Sequence, residues 1–171
     1  MKQITVGFSR ASTKFPIFSW LIMAVQRTPY SHAYLKYQDV NLNRTVVYQA
    51  SHTLVNYMSE ATFLAQETVV QEFTFNVSDA AFLAMQQFAV DNAGKPYGVL
   101  EIIGLGLVEL ALAVGIKMHN PLKEAGSTWI CDQLVAALLS NCANVKLPMP
   151  LDDMTPKDVY TLVSSLPQNL S

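Results

Sequence analysis

Cys131 has the residue type and the sequence position of a nucleophile. It lies in the segment Thr-Trp-Ile-Cys-Asp-Gln-Leu-Val, about one turn into a strongly apolar helix predicted for Thr128–Leu139. Unpaired backbone amides and the helix dipole stabilise a thiolate near a helix start and lower the pKa of the thiol. The alternative is a small apolar residue in a core helix, because free cysteines are among the most buried residue types.

The second cysteine, Cys142, does not compete for this role. If one helix contains both cysteines, the eleven positions from 131 to 142 separate them by roughly 16 Å. A disulfide needs Cα atoms within about 7 Å of each other. The two thiols are therefore predicted to stay unpaired, with Cys142 structural and Cys131 the candidate nucleophile.

His32 is the candidate general base for that thiol. It begins a strand predicted over residues 31–38, and the two-residue period of a strand places it with Tyr34 and Lys36 on the more polar face. An imidazole at this position could reach a nucleophile on a neighbouring helix and take its proton. The alternative is a surface or capping histidine.

Gln49 could orient the imidazole. It lies in a strand predicted over residues 44–51, which returns antiparallel to the first. If the register sets Gln49 beside His32, its amide oxygen accepts the imidazole N–H and holds the tautomer that faces the thiol. This is the role of the third member in a Cys–His system, and a neutral amide can fill it. Taken alone, Gln49 would be an ordinary strand residue.

The elements that must position these residues are strands early in the chain and helices late. This order, with short connections between strands, predicts an α+β fold with an antiparallel sheet packed against helices. No linker, charge block or repeat divides the sequence, so residues 1–171 are predicted to form a single domain. The other predicted elements are a strand at Ile4–Phe8, a helix at Pro16–Arg27, a strand at Val69–Phe75, and helices from Ser78 to Gly94, from Leu100 to Met118 and from Thr155 onward.

Composition excludes several classes of protein. Apolar residues make up 51% of the 171 residues and charged residues only 14%, which excludes a disordered chain. The net charge of −2 leaves no excess of positive charge for a polyanion, so no nucleic-acid partner is expected. The three histidines and two cysteines show no metal-ligand spacing, and neither a metal nor a cofactor is expected.

The apolar segment from Val99 to Ile116 raises the question of a membrane. It is long enough to span a bilayer, but it contains Glu101, Glu109 and three glycines. A carboxylate near the middle of a bilayer costs a few kcal/mol. We therefore interpret the segment as a buried or substrate-facing helix, with contact to a membrane surface as the alternative.

The order of these motifs resembles that of the circularly permuted NlpC/P60 papain-like cysteine hydrolases. That family includes the YiiX/YaeF-like group and, more distantly, the lecithin:retinol acyltransferase-like proteins, and its histidine precedes its cysteine, the reverse of papain. The resemblance extends from Val6 to Tyr160. The motifs that carry it are, in chain order, Val-Gly-Phe, Thr-Pro-Tyr-Ser-His-Ala-Tyr-Leu, Val-Val-Tyr-Gln-Ala, Gly94-Lys95-Pro96-Tyr97-Gly98, Trp-Ile-Cys-Asp-Gln-Leu-Val and Thr-Pro-Lys-Asp-Val-Tyr.

The resemblance implies a thiol hydrolase or acyltransferase with Cys131 as nucleophile, His32 as base and Gln49 as the orienting residue. It implies attack on an amide or ester carbonyl through a thioester intermediate, with the backbone amide of Cys131 as oxyanion donor. The substrates that it implies are peptidoglycan-type peptides or lipid-like acyl compounds. Tyr97 would be structural or would line the pocket.

Two positions depart from the family pattern. Asp132-Gln133 follow the cysteine where Ser-Glu is usual, and a carboxylate beside a thiolate should raise the thiol pKa unless it points away. Gln49 stands where an acidic residue or a histidine is common, and a glutamine cannot stabilise an imidazolium by charge. The departures keep open a catalytically inactive binding module on the same scaffold. The apolar 99–116 segment keeps open a peripheral membrane protein.

The expected compartment follows from cysteine usage. Two unpaired cysteines and no export signal favour a reducing cytosol, and a phage-encoded protein is a further alternative. The oligomeric state does not follow from the sequence.

Overall fold

The computed structural model describes residues 1–12, 17–51, 53–98 and 128–170, together with residues 104, 107, 108, 111, 114–119, 121 and 122. Within this part of the chain, the strands are β1 (Lys2–Ala11), β2 (His32–Asp39), β3 (Arg44–Ser51), β4 (Leu54–Ser59), β5 (Glu67–Val77) and β6 (Asn169–Leu170). The α-helices are α1 (Ile17–Gln26), α2 (Glu60–Leu64), α3 (Asp79–Asn92), α4 (Cys131–Ala143) and α5 (Pro156–Ser165), and a 3₁₀ turn covers Leu151–Asp153.

The strands form one mixed sheet in the order β4-β3-β2-β1-β5-β6. Neighbouring strands from β4 to β5 are antiparallel, whereas β6 pairs parallel with β5 through Asn169 and Leu170. The α+β class is confirmed. The prediction of a purely antiparallel sheet is wrong at this edge, because a two-residue strand is too short to show an alternating pattern.

One face of the sheet carries the main hydrophobic core. The alternate β1 residues Ile4, Val6 and Phe8 are buried in it, and α4 contributes Leu134 and Leu138 to the same cluster. Burial of each such side chain is worth roughly 1.5–3 kcal/mol. Helix α4 is therefore fixed to the sheet by its packing, and this packing also fixes the position of its first turn.

The opposite face carries a smaller cluster formed with α2. Tyr34, Val47 and Phe63 are buried together, and the ring centroids of Tyr34 and Phe63 lie 4.4 Å apart. Phe63 belongs to α2. The sequence patterns predict neither α2 nor β4, because elements of five and six residues with mixed polarity show no clear period.

Two helix starts are confirmed. The side chain of Ser78 caps α3, and Thr155 caps α5 in a capping box with Asp158. In both cases a hydroxyl accepts a hydrogen bond from a first-turn backbone amide that would otherwise lack a partner. These caps hold α3 and α5 in the layer that packs beside α4.

Most of the apolar segment 99–116 lies outside the described residues, so the helix expected at Leu100–Met118 stays a prediction. Val114 and Ile116 are described and are exposed. Among the helices that the structure describes, none is both long enough and apolar enough to cross a bilayer.

Position 7 in the middle of β1 must be a glycine because the ring of Tyr34 comes close to its backbone. An added Cβ at Gly7 would overlap the ring of Tyr34, its neighbour across the β1–β2 pair. Tyr34 is fully buried and its hydroxyl donates a hydrogen bond to Glu72, so the ring has no room to move.

We expect Gly7→Ala to lower the free energy of unfolding by about 1–3 kcal/mol, the usual cost of overpacking a core. Urea unfolding measures this, with Gln3→Ala at an exposed position on the same face of β1 as the control, expected within about 0.5 kcal/mol of the wild type. Equal stabilities of Gly7→Ala and Gln3→Ala would contradict the close approach of Tyr34.

Candidate active site

Cys131 is the first residue of α4, not a residue one turn inside it. The helix begins three residues later than predicted, because Trp129 forms an isolated parallel bridge with Tyr97 and Ile130 remains extended at the N-cap. Ile130 has no side-chain oxygen, so the helix start has no side-chain cap. The backbone amides of the first turn can therefore donate to another group, such as a developing oxyanion.

The sulfur of Cys131 is buried among polar groups. The residue is only 2% exposed. Its sulfur hydrogen-bonds with the backbone of Ala33 and with the side chain of Tyr97, and it lies 3.7 Å from Oδ1 of Asp132. Since Ala33 follows His32 in β2, the thiol lies beside the strand that carries the predicted base.

Burial raises the pKa of the Cys131 thiol above its ordinary value of 9.0. Hydrogen bonds from the backbone of Ala33 and from Tyr97 act in the opposite direction but do not overcome this effect. The prediction of a lowered thiol pKa is therefore wrong. A helix start favours a thiolate, but here the loss of hydration is the larger effect, and the sulfur is a neutral thiol at pH 7.

His32 and Gln49 are hydrogen-bonded. Nε2 of His32 lies 2.6 Å from Oε1 of Gln49, and both residues are more than nine-tenths buried. Leu35 pairs with Tyr48 across β2 and β3, and continuing this register places Gln49 opposite Tyr34, on the same face as His32. The two side chains therefore meet diagonally across neighbouring strands, which is the arrangement that an orienting role for Gln49 needs.

The surroundings of Gln49 assign the tautomer of His32. Nε2 of Gln49 donates to the sulfur of Met58 at 3.6 Å, which leaves Oε1 as the atom that faces the imidazole. An amide oxygen can only accept, so Nε2 of His32 carries the proton. Nδ1 is then the unprotonated nitrogen and the one that can accept a proton from another group.

Burial also lowers the pKa of His32 below its ordinary 6.5. The negative charge of Glu67 acts most strongly against this shift, followed by the hydrogen bond to Gln49. The imidazole is consequently neutral at pH 7. A neutral imidazole beside a neutral thiol is suited to general-base catalysis, in which charge develops only as the reaction proceeds.

Asp132 does not point away from the thiol. It is 1% exposed, and its Oδ2 has no hydrogen-bond partner among the described residues. Burial, and then the nearby Cys131, raise the pKa of the carboxyl well above its ordinary 3.8. Asp132 is therefore uncharged, and its hydrogen bond with the sulfur favours the thiolate. The expectation that this residue raises the thiol pKa is wrong because it assumed a charged carboxylate.

Two further residues act on this site without having been assigned a part in its chemistry. Tyr97 hydrogen-bonds the Cys131 sulfur, and Glu67 places a negative charge near His32. Tyr97 belongs to the Gly-x-Pro-Tyr element, and the resemblance implies that it is structural or lines the pocket. Glu67 belongs to no motif, and only the sheet register reveals it.

The structure thus places the Cys131 sulfur beside Ala33 at the start of β2, next to His32, which hydrogen-bonds Gln49. Among the described residues, no group of three or more His, Cys, Asp or Glu side chains is placed to hold a metal ion. The fold and this site define an α+β protein whose mixed sheet carries a histidine–amide pair and packs against a helix that begins with a cysteine.

This fold is YiiX-like. The chain matches the crystal structure of "metalloprotein yiiX" from Escherichia coli O157:H7 with a TM-score of 0.61 and 16% sequence identity, over 98% of this chain and 92% of that one. No protein-family model and no curated protein sequence matches the chain. At this level of identity the match establishes the fold.

Proposed function

We propose that this protein is a cysteine-dependent hydrolase or acyltransferase that attacks an amide or ester carbonyl through a thioester on Cys131. His32 would be the general base and Gln49 the residue that orients it. The observation that carries the proposal is the 2.6 Å hydrogen bond between His32 and Gln49, because it leaves Nδ1 of a neutral imidazole free to take a proton.

We also infer that the chain is a circularly permuted NlpC/P60 papain-like enzyme. The histidine strand precedes the cysteine helix in the chain, and the YiiX-like fold agrees with this order. The Gly-Lys-Pro-Tyr element supports the inference independently, since its tyrosine hydrogen-bonds the cysteine sulfur.

In the proposed reaction, the Cys131 sulfur attacks the carbonyl carbon while Nδ1 of His32 takes the thiol proton. The carbonyl oxygen becomes an oxyanion, which accepts hydrogen bonds from backbone amides at the start of α4. When the intermediate collapses, the leaving amine or alcohol takes the proton from His32 and the acyl group remains as a thioester. Water or another acceptor then attacks the thioester, giving its proton to His32, and Cys131 regains its thiol.

The two substrate classes that the sequence resemblance implies remain proposals for this site: peptidoglycan-type peptides and lipid-like acyl compounds. The exposed Val114 and Ile116 agree with an apolar substrate or with contact to a membrane surface.

A second function, a binding module without turnover, is favoured by the burial of the sulfur. At 2% exposure, Cys131 must become more accessible before a substrate can reach it. A homologue that had lost catalysis would keep the same hydrogen bonds for stability. The test of the first function decides between the two.

The test measures covalent acylation of Cys131. We expect the wild type to form an acyl-enzyme with p-nitrophenyl acetate or butyrate, seen as an added acyl mass that hydroxylamine removes. Cys131→Ala should abolish it, because the nucleophile is gone. The matched control is Cys142→Ala, which removes the other thiol of the same helix and should leave acylation unchanged.

Peptide mapping of the acyl group completes this experiment. A thioester on Cys131 alone supports the enzyme. Acylation of neither cysteine in the folded wild type, over the tested esters, would favour the binding module. Equal acylation of both cysteines would show only ordinary thiol reactivity and would also count against a catalytic site.

A further inference from the structure

His32 would need a negative charge nearby if it takes the thiol proton. An imidazolium in a buried site is costly unless a counter-charge or strong hydrogen bonds compensate it. Gln49 accepts the Nε2 hydrogen bond but carries no charge. Asp132 is itself held neutral by burial. A carboxylate from elsewhere in the fold would therefore favour the proposed reaction.

A β-bulge brings Glu67 to the right face of the sheet. Phe8 pairs with Gln71, but the next residue, Ser9, pairs with Val69, so one residue of β5 is skipped. Each skipped residue reverses the alternation of the faces. Glu67, which pairs with Ala11, consequently lies on the same face as Ser9 instead of on the core face.

Ser9 lies between this carboxylate and His32 in the sheet. Ser9 is fully buried, and its Cα is the partner of the His32 Cα across β1 and β2. Its hydroxyl donates a hydrogen bond to Oε2 of Glu67 at 2.9 Å. The three residues therefore form a row across strands β2, β1 and β5, with the carboxylate held on the side of the histidine away from Gln49.

We propose that Glu67 is the counter-charge of His32, a positioning residue that stabilises the imidazolium formed when Cys131 gives up its proton. This inference rests on the proposed function. Under this proposal, Gln49 fixes the orientation of the His32 ring and Glu67 supplies the negative charge. One acidic residue could perform both tasks. Glu67 is also the group whose charge most strongly opposes the effect of burial on His32.

The neighbouring carboxylates have other partners. On the same face, Glu60 and Glu72 each lie 2.7 Å from Nζ of Lys36, and Glu72 also accepts from Tyr34. From α4, the acidic residue near His32 is Asp132, whose carboxyl burial keeps neutral, and Tyr97 hydrogen-bonds the Cys131 sulfur. Glu67 is thus the carboxylate on this face whose hydrogen bond ties it to the strand next to His32.

The test uses Glu67→Gln, which keeps the size of the side chain and removes its charge. We expect the titration midpoint of His32, followed by NMR of its ring, to move to lower pH. The acylation rate should fall about tenfold, which corresponds to about 1.4 kcal/mol of lost stabilisation of the charged state. Variants at His52 and His119, the other two histidines, assign the His32 signal.

Glu72→Gln is the matched control. It removes a carboxylate from the same strand and face, but this carboxylate is bound to Lys36, so the His32 midpoint should not move. Ser9→Ala, which leaves Glu67 charged but unfixed, should reproduce part of the shift and is the variant to use if Glu67→Gln does not fold. An unchanged His32 midpoint in Glu67→Gln and Ser9→Ala would overturn the proposal.

The NMR readout also separates this proposal from the proposed function. If the His32 midpoint shifts in Glu67→Gln but the wild type never acylates Cys131, the Glu67–His32 interaction is supported and the proposed enzymatic function is rejected. If the wild type acylates Cys131 but the His32 midpoint is unchanged in Glu67→Gln, the proposed enzymatic function is supported and the role of Glu67 as counter-charge is rejected.

Discussion

Replacing His32 with alanine should lower the rate of Cys131 acylation by about 10²–10⁴-fold, the usual contribution of a general base. The effect is large because burial keeps the Cys131 thiol protonated at neutral pH, so little thiolate exists without a base to remove the proton. The measurement is the single-turnover rate of acyl transfer from a p-nitrophenyl ester, followed by released nitrophenolate. Circular dichroism shows whether the variant remains folded.

The pH profile provides a second readout of the same variant. In the wild type the rate should rise with pH as the imidazolium loses its proton, with a midpoint below 6.5 because burial lowers the pKa of His32. His32→Ala should lack this step. The control is His119→Ala, since His119 is exposed and bonds Asp153 instead of the site. Loss of the step in His119→Ala, or its persistence in His32→Ala, would show that another group is the base.

Burial determines the chemical state of the whole site. It raises the pKa of Cys131, lowers that of His32 and raises that of Asp132, so all three groups are uncharged at rest. A preformed thiolate–imidazolium pair is therefore disfavoured. Charge would form only with a substrate bound, and the hydrogen bonds from Tyr97 and Ala33 would then stabilise the developing thiolate.

Local sequence patterns predict the elements of the site better than its electrostatics. The strands of His32 and Gln49 follow from two-residue alternation and from the polar turn between them, and their antiparallel pairing is confirmed. The start of α4 is misplaced by three residues, because Thr128 and Trp129 are compatible with a helix and only the bridge between Trp129 and Tyr97 excludes it.

The remaining features depend on contacts between distant parts of the chain. The thiol pKa follows from burial at a junction between α4 and β2, which are about a hundred residues apart in the sequence, and a local motif contains no information on burial. Glu67 reaches the histidine face only through the bulge between β1 and β5. Strand β6 pairs through two residues, too few to predict.

The second large effect concerns stability. Asp132→Asn should remove a pH dependence of stability that the wild type shows as the pH rises above 3.8, the ordinary pKa of an aspartate. Above this value the unfolded chain has an ionised Asp132, whereas burial favours the protonated carboxyl in the folded protein. Folding therefore binds a proton, and the free energy of unfolding falls as pH rises, by up to about 1.4 kcal/mol per pH unit. Asparagine cannot ionise, so the variant should lose this slope.

Urea unfolding at several pH values measures both slopes. His32, whose lowered pKa reduces stability below pH 6.5, contributes equally in the two proteins, so the difference between their slopes reports Asp132. Asp91→Asn, at an exposed position in α3, is the control and should keep the wild-type slope. A wild-type slope in Asp132→Asn would mean that Asp132 is ionised in the folded protein. A carboxylate would then repel the thiolate of Cys131, and the proposed reaction would lose the hydrogen bond that the neutral acid supplies.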